Sequence, residues 1–148
     1  MSLAEFQTNS EEETIAVGAK LSAFLPGRGA VLLIGNLGAG KTTLVKGIAE
    51  ARGAALRDEV TSPTFPLIHE YGEPARIFHI DLYRLETEQE VLSLGIDDLL
   101  DRRALTLIEW GERFPSLWPA GTMAVQLEHL GDDARRITLS VSVQSGEI

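Results

Sequence analysis

The chain has 148 residues, 44% of them hydrophobic, which suits one ordinary domain with a single core; a second folded domain is not expected. Twenty-two acids against 13 bases leave a net charge of −9, which excludes a broad electrostatic grip on nucleic acid, so any link to RNA has to run through a partner. Cysteine is absent, excluding disulfides and thiolate metal sites, and "MSLAEFQTNSEEE" has neither the basic start nor the apolar stretch of a signal peptide. With no apolar run long enough to span a membrane, a cytoplasmic protein with no membrane partner is expected.

In chain order, no element is read before Ser10. Ser10 and Glu13 have capping-box spacing, and Val17, Leu21, Phe24 and Leu25 recur at helical spacing, which predicts a packing helix to about Pro26. Ala30 to Ile34 is a continuous apolar run, the pattern of a buried parallel strand. The loop "GNLGAG" follows, and Lys41 to about Ala51 carries Leu44, Val45 and Ile48 as a helix. Phe65–Tyr71 and Ala75–Ile80 read as strands joined across "GEP". Thr87 with Glu90 is a second capping box, opening a short helix through about Leu94. Ile96 to about Leu100 reads as another short helix, and Ala104–Ile108 as a buried strand ending at Glu109. Met123, Val125 and Leu127 alternate, as do Ile137, Leu139, Val141 and Val143, on either side of "HLGDDARR". That is an antiparallel hairpin with one buried face, expected to extend a parallel sheet at one edge. The class is α/β: a P-loop NTPase-like three-layer fold with a mostly parallel sheet and an antiparallel C-terminal hairpin.

Gly35-Asn36-Leu37-Gly38-Ala39-Gly40-Lys41-Thr42 satisfies the phosphate-loop pattern of spaced glycines followed by Lys and Thr, between a predicted strand and a predicted helix. Glycines let the backbone curl so that successive N–H groups face a phosphate at the positive end of the helix. Lys41 is then expected to neutralise the β- and γ-phosphates and Thr42 to place its hydroxyl on Mg²⁺, with nucleotide contacts from Asn36, Leu37, Gly38, Ala39, Gly40 and Thr43. The only asparagines are Asn9 and Asn36, neither followed by lysine. The Asn-Lys-x-Asp element of many guanine-specific switches is therefore missing, which favours ATP.

A phosphate loop needs a further acid near the metal, at the carboxyl end of a neighbouring buried strand. Two candidates stand there, Asp81 after "RIFHI" and Glu109 after "ALTLI". One acid on the Mg²⁺ shell and one orienting the attacking water is the expected division, with either assignment open. Thr61, Ser62 and Thr64 in "TSPTF" lie where loops close on a γ-phosphate, although Ser-Pro-Thr alone reads as an ordinary turn. His69 and His79 have no metal-ligand spacing and read as packed or surface residues. Arg102 and Arg103 read as solvated charge. No arginine finger is identified in the chain.

Taken together and in order, "GNLGAGKTTL", "VTSPTF", "IFHIDLYRL", "LGIDDLL" and "LIEWGERF" resemble the TsaE family, also called YjeE, over roughly Ser10 to Phe114. The resemblance implies a small bacterial ATPase required for the threonylcarbamoyladenosine (t6A) modification of tRNA. It further implies slow or conditional hydrolysis that resets a TsaB–TsaD heterodimer, with tRNA met only through that complex. Carried over to matching positions, Lys41 and Thr42 are the phosphate-loop pair, Thr61 to Phe65 a switch-like segment containing Thr64, and Asp81 and Glu109 the functional acids. Trp110 joins the nucleotide-contacting candidates through its place in the "EW" element. One position departs: the family usually has Asp where Asn36 stands, so a negative charge in the loop is missing. The alternatives are a small-molecule kinase, for which an acceptor pocket and an arginine-bearing lid are hard to find here, and a nucleotide-gated binding module without turnover.

Overall fold

A computed structural model describes residues 2–36, 38–63 and 67–141. In chain order these form β1 (Ser2–Thr8), α1 (Glu11–Ser22), β2 (Gly29–Ile34), α2 (Lys41–Ala51), β3 (Ile68–Tyr71), β4 (Ile77–Asp81), α3 (Glu88–Leu92), α4 (Ile96–Leu100), β5 (Leu105–Glu109), β6 (Met123–Gly131) and β7 (Ala134–Val141). Short 3₁₀ turns occupy Arg57–Glu59, Gly111–Arg113 and Pro115–Leu117.

The strands form one sheet in the order β1-β7-β6-β2-β5-β4-β3. Strands β6, β2, β5 and β4 are mutually parallel, β7 and β3 oppose their neighbours, and β1 pairs antiparallel with β7, so five of the seven run the same way. The alternation of side chains divides the core into two layers. Val31 and Leu33 of β2 join Ile77, Leu105, Leu107 and Val125 beneath α1 and α2. Leu32, Ile80, Ile108 and Ala124 point to the other face, against Val91, Ile96, Phe114 and Trp118. Helices or turns cover both faces, giving the expected three layers.

Helix α1 begins where its chemistry dictates. The Ser10 side chain accepts from the Glu13 N–H at 3.1 Å, and Glu13 accepts from the Asn9 N–H at 2.6 Å. Glu11, Glu12 and Glu13 place negative charge on the positive end of the helix. The helix stops at Ser22 rather than near Pro26, and Phe24, expected at a core position, is 56% exposed because it lies beyond the last turn. Helices α1 and α2 touch through glycine: a Cβ on Gly18 would meet the Leu44 carbonyl at 2.4 Å, and one on Gly47 would meet the Ile15 carbonyl at 1.9 Å.

A strand precedes Ser10: Ala4, Phe6 and Thr8 turn inward while Ser2, Leu3, Glu5 and Gln7 are exposed. The C-terminal hairpin extends the sheet on the outer side of β2 as expected, with β6 pairing in parallel with β2, and β1 adds one further strand beyond β7. The strand expected from Phe65 begins at Ile68, and the one expected from Ala75 begins at Ile77, after the turn has closed with the Arg76 N–H on the Tyr71 carbonyl. Phe65 and Val143 lie outside the described residues.

Candidate functional site

The carboxyl ends of β2, β5 and β4 meet the amino end of α2, and there the polar residues gather. The glycine loop turns through Gly38 at φ 80° and Gly40 at φ 103°, left-handed values that a side chain with a Cβ resists. Its turn is closed by the Ala39 N–H donating to the Asn36 carbonyl at 3.0 Å, and the first turn of α2 by the Leu44 N–H on the Gly40 carbonyl at 2.9 Å. Lys41 and Thr42 therefore start the helix at its positive end.

Lys41 is buried, at 5% exposure. Its Nζ donates to the Gly35 carbonyl at 2.7 Å, lies 3.6 Å from Glu109 Oε1 and sits 4.3 Å from the centre of the Trp110 ring. Glu109 is equally buried, and its other oxygen, Oε2, accepts from His79 Nε2 at 2.6 Å. Asp81 is the register partner of Glu109 on the adjacent strand. Its Oδ1 accepts from the Tyr83 N–H at 2.9 Å. Burial pushes the Asp81 carboxyl above its usual range, the nearby Glu109 charge pushes the same way, and the Tyr83 N–H, Lys41 and His79 pull against them.

Thr42 Oγ1 and Ser62 Oγ are 2.9 Å apart across the mouth of a cleft of about 310 Å³ whose walls include Gly40, Lys41, Thr43, Asp81, Glu109 and Arg135. Trp110, in a left-handed conformation at φ 67°, sends the chain sharply away from the end of β5. Its ring packs on Tyr83, with centroids 5.1 Å apart, and it lines a second cavity of about 570 Å³ behind the loop, with Asn36, Gln126 and Glu128. Asn36 is exposed and borders that second cavity rather than the cleft.

Of the residues singled out from the sequence, Gly38, Gly40, Lys41, Thr42, Thr43, Asp81 and Glu109 line the one cleft, Ala39 is buried in the loop, and Trp110 touches the cleft through Lys41. Leu37 and Thr64 lie outside the described residues. Arg102 pairs with Asp98 at the surface, as a solvated charge does.

Two residues went unrecognised. His79 reads as an ordinary packed or surface histidine, yet it is fully buried and bonded to Glu109. The alternation in "HID" was a usable signal, since it puts His79 and Asp81 on one face of β4. Arg135, from the hairpin, donates through Nε to the Ala39 carbonyl at 3.0 Å and through Nη2 to the Gly38 carbonyl at 3.4 Å. Nothing local in the sequence marks that contact, which crosses 96 positions.

The fold and the site define a mixed α/β protein whose buried lysine and paired acids converge where a glycine turn leaves a central strand for a helix. A family model described as "Threonylcarbamoyl adenosine biosynthesis protein TsaE" matches residues 8–137. The chain belongs to the TsaE family. A Bacillus subtilis (strain 168) protein named "tRNA threonylcarbamoyladenosine biosynthesis protein TsaE" is 36% identical over 141 residues, covering 95% of this chain and 87% of the relative. A Treponema pallidum (strain Nichols) protein of the same name is 35% identical over 133 residues, covering 90% and 97%. The crystal structure of Bacillus subtilis YdiB matches with a TM-score of 0.72 at 30% identity, covering 93% of this chain and 84% of that one. Among the described residues no helix is long and apolar enough to cross a membrane.

Proposed function

We propose that this protein binds ATP with Mg²⁺ and hydrolyses it as the energy-using subunit of tRNA t6A formation, acting on a TsaB–TsaD heterodimer and meeting tRNA only through that complex. Its relatives carry the t6A role in their names. The observation that carries the nucleotide reading is Lys41: a buried ammonium at the amino end of α2, bonded to a loop carbonyl and 3.6 Å from its nearest carboxylate. A phosphate oxygen offers that ammonium a charge-assisted hydrogen bond, and the glycine loop and helix end offer the same phosphate their N–H groups.

The cleft also fits a magnesium ion held with the nucleotide. The Thr42 hydroxyl and the Asp81 and Glu109 carboxylates line it together. Among the described residues no three His, Cys, Asp or Glu side chains converge to hold a metal unaided. That suits Mg²⁺, which binds through one or two protein oxygens and takes the rest of its shell from phosphates and water. When bound, the ion supplies charge neutralisation at the phosphates. Lys41 contributes the same at the β- and γ-phosphate oxygens, and a carboxylate of the Asp81–Glu109 pair orients the attacking water. Arg135, the arginine beside the cleft, is bonded to the Gly38 and Ala39 carbonyls; with no arginine finger identified in the sequence, the bare chain is expected to be slow and a partner to supply what is missing. Asn36, where the family usually has Asp, lines the second cavity and not the cleft.

The test is ATP turnover by the chain alone and with TsaB–TsaD, repeated with Lys41→Ala. Turnover that TsaB–TsaD accelerates and that Lys41→Ala abolishes is expected. Phosphoryl transfer that requires an added small-molecule acceptor makes the protein a kinase, and no hydrolysis in any mixture makes it a nucleotide-gated binding module.

A further inference from the structure

We infer that His79 is a positioning residue that fixes the Glu109 carboxylate for the reaction, an inference that rests on the ATP-hydrolysing reading above. The argument starts from an incongruity in β4. His79 is fully buried in a strand whose neighbours Ile77, Phe78 and Ile80 are also buried and apolar. Its Nδ1 has no hydrogen-bond partner among the described residues. An imidazole with an unpaired buried nitrogen costs stability, where an aliphatic side chain would cost none. Among the described residues, the one polar contact of the ring is the 2.6 Å bond to Glu109 Oε2. Because an ionised carboxylate only accepts, Nε2 is the donor, and Nδ1 is the nitrogen left without a partner.

That bond decides what Glu109 presents to the cleft. A glutamate has three rotatable side-chain bonds, and holding Oε2 on the buried ring leaves Oε1 as the oxygen facing Lys41, at 3.6 Å. Strand register makes the arrangement stiff. Asp81 pairs with Glu109 and His79 with Leu107, so ring and carboxylate project from the same face of two hydrogen-bonded parallel strands. His69, the register partner of His79 on β3, turns its Nδ1 to the Tyr71 hydroxyl at 3.2 Å. A buried partner behind a functional carboxylate acts through orientation, and loss of such a partner typically lowers activity by about 10- to 100-fold.

Two experiments test this. In ¹⁵N-histidine NMR of the wild-type chain, His79 is expected to carry a slowly exchanging Nε2 proton whose resonance shifts in Glu109→Gln. This readout needs no ATP turnover, so a negative result strikes the contact and leaves the ATPase reading standing. In turnover assays, His79→Leu should lower kcat by about 10- to 100-fold with KM for ATP changed by less than about threefold. His79→Gln, whose amide nitrogen reaches toward the Nε2 position, should recover more of that loss than His79→Asn. The decisive comparison is the double variant: His79→Leu should add nothing to Glu109→Gln if the ring acts through the carboxylate. Losses that multiply, equal activity of His79→Gln and His79→Asn, or an undiminished kcat in a folded His79→Leu would overturn the inference. If His79→Leu does not fold, the Gln and Asn variants decide alone.

Discussion

Asp81 and Glu109 stand directly opposite each other at the carboxyl ends of β4 and β5, yet they are held in different ways. Glu109 is buried between Lys41 and His79, each facing one of its oxygens. Asp81 is half-buried, with one oxygen on the Tyr83 N–H. Two acids in register thus line one cleft in different surroundings, Glu109 enclosed by two partners and Asp81 half-buried.

Glu109→Gln keeps the size of the side chain and removes its charge. Equilibrium binding of ATP should change by less than about threefold, while kcat falls by roughly 10² or more if this carboxylate orients water. Nucleotide titration alongside steady-state turnover checks both. Loss of Mg²⁺-dependent binding instead would move Glu109 to the metal shell.

Asp81 predicts a pH dependence with a definite sign. Burial raises its folded-state value above the ordinary 3.8, so the folded chain holds this proton more tightly than the unfolded chain does. Between 3.8 and the raised value, stability falls as pH rises, and above that window the full cost of the buried charge applies. Asp81→Asn, whose side-chain oxygen can still accept from the Tyr83 N–H, should therefore melt higher than the wild type at neutral pH. The difference should close as the pH drops below 3.8. Thermal melts of the two proteins across that range test it, and a gap independent of pH contradicts it.

Arg135 holds the glycine loop from the hairpin side. Arg135→Ala removes the bonds to the Ala39 and Gly38 carbonyls. With the side chain part-exposed, the loss should be about 1 kcal/mol, or roughly fivefold in ATP affinity, with little change in melting temperature. Calorimetric titration with ATP reads the first quantity, and affinity equal to wild type would show that the loop keeps its shape unaided.

Gly47→Ala tests the helix crossing. Its Cβ would come within 1.9 Å of the Ile15 carbonyl and 3.0 Å of the Ala19 nitrogen, both backbone atoms that cannot step aside without parting the helices. The expected cost is about 2–3 kcal/mol, and the melting temperature should fall by roughly 5–10 °C. Circular dichroism melts measure it.

Much of this was legible in the residues themselves. The glycine loop followed by Lys41 and Thr42, the helix caps at Ser10 and Thr87, and the apolar runs ending in Asp81 and Glu109 are short-range patterns. Local backbone chemistry and side-chain periodicity write them directly into neighbouring positions. The family could be read from five such stretches in order. What lay outside was long-range. The strand at Ser2–Thr8 has only a weak alternation because it covers an edge, and its partner Ala134–Val141 is at the other end of the chain. His79 meets Glu109 across 30 positions and Arg135 meets Ala39 across 96, through strand register and hairpin placement that no local spacing encodes. The sequence by itself determined the glycine loop, Lys41, Thr42 and the two strand-end acids, because each belongs to a local pattern. Only the tertiary structure, by pairing β4 with β5 and laying the hairpin beside the loop, decided which oxygen of Glu109 faces the lysine and what holds the loop in place.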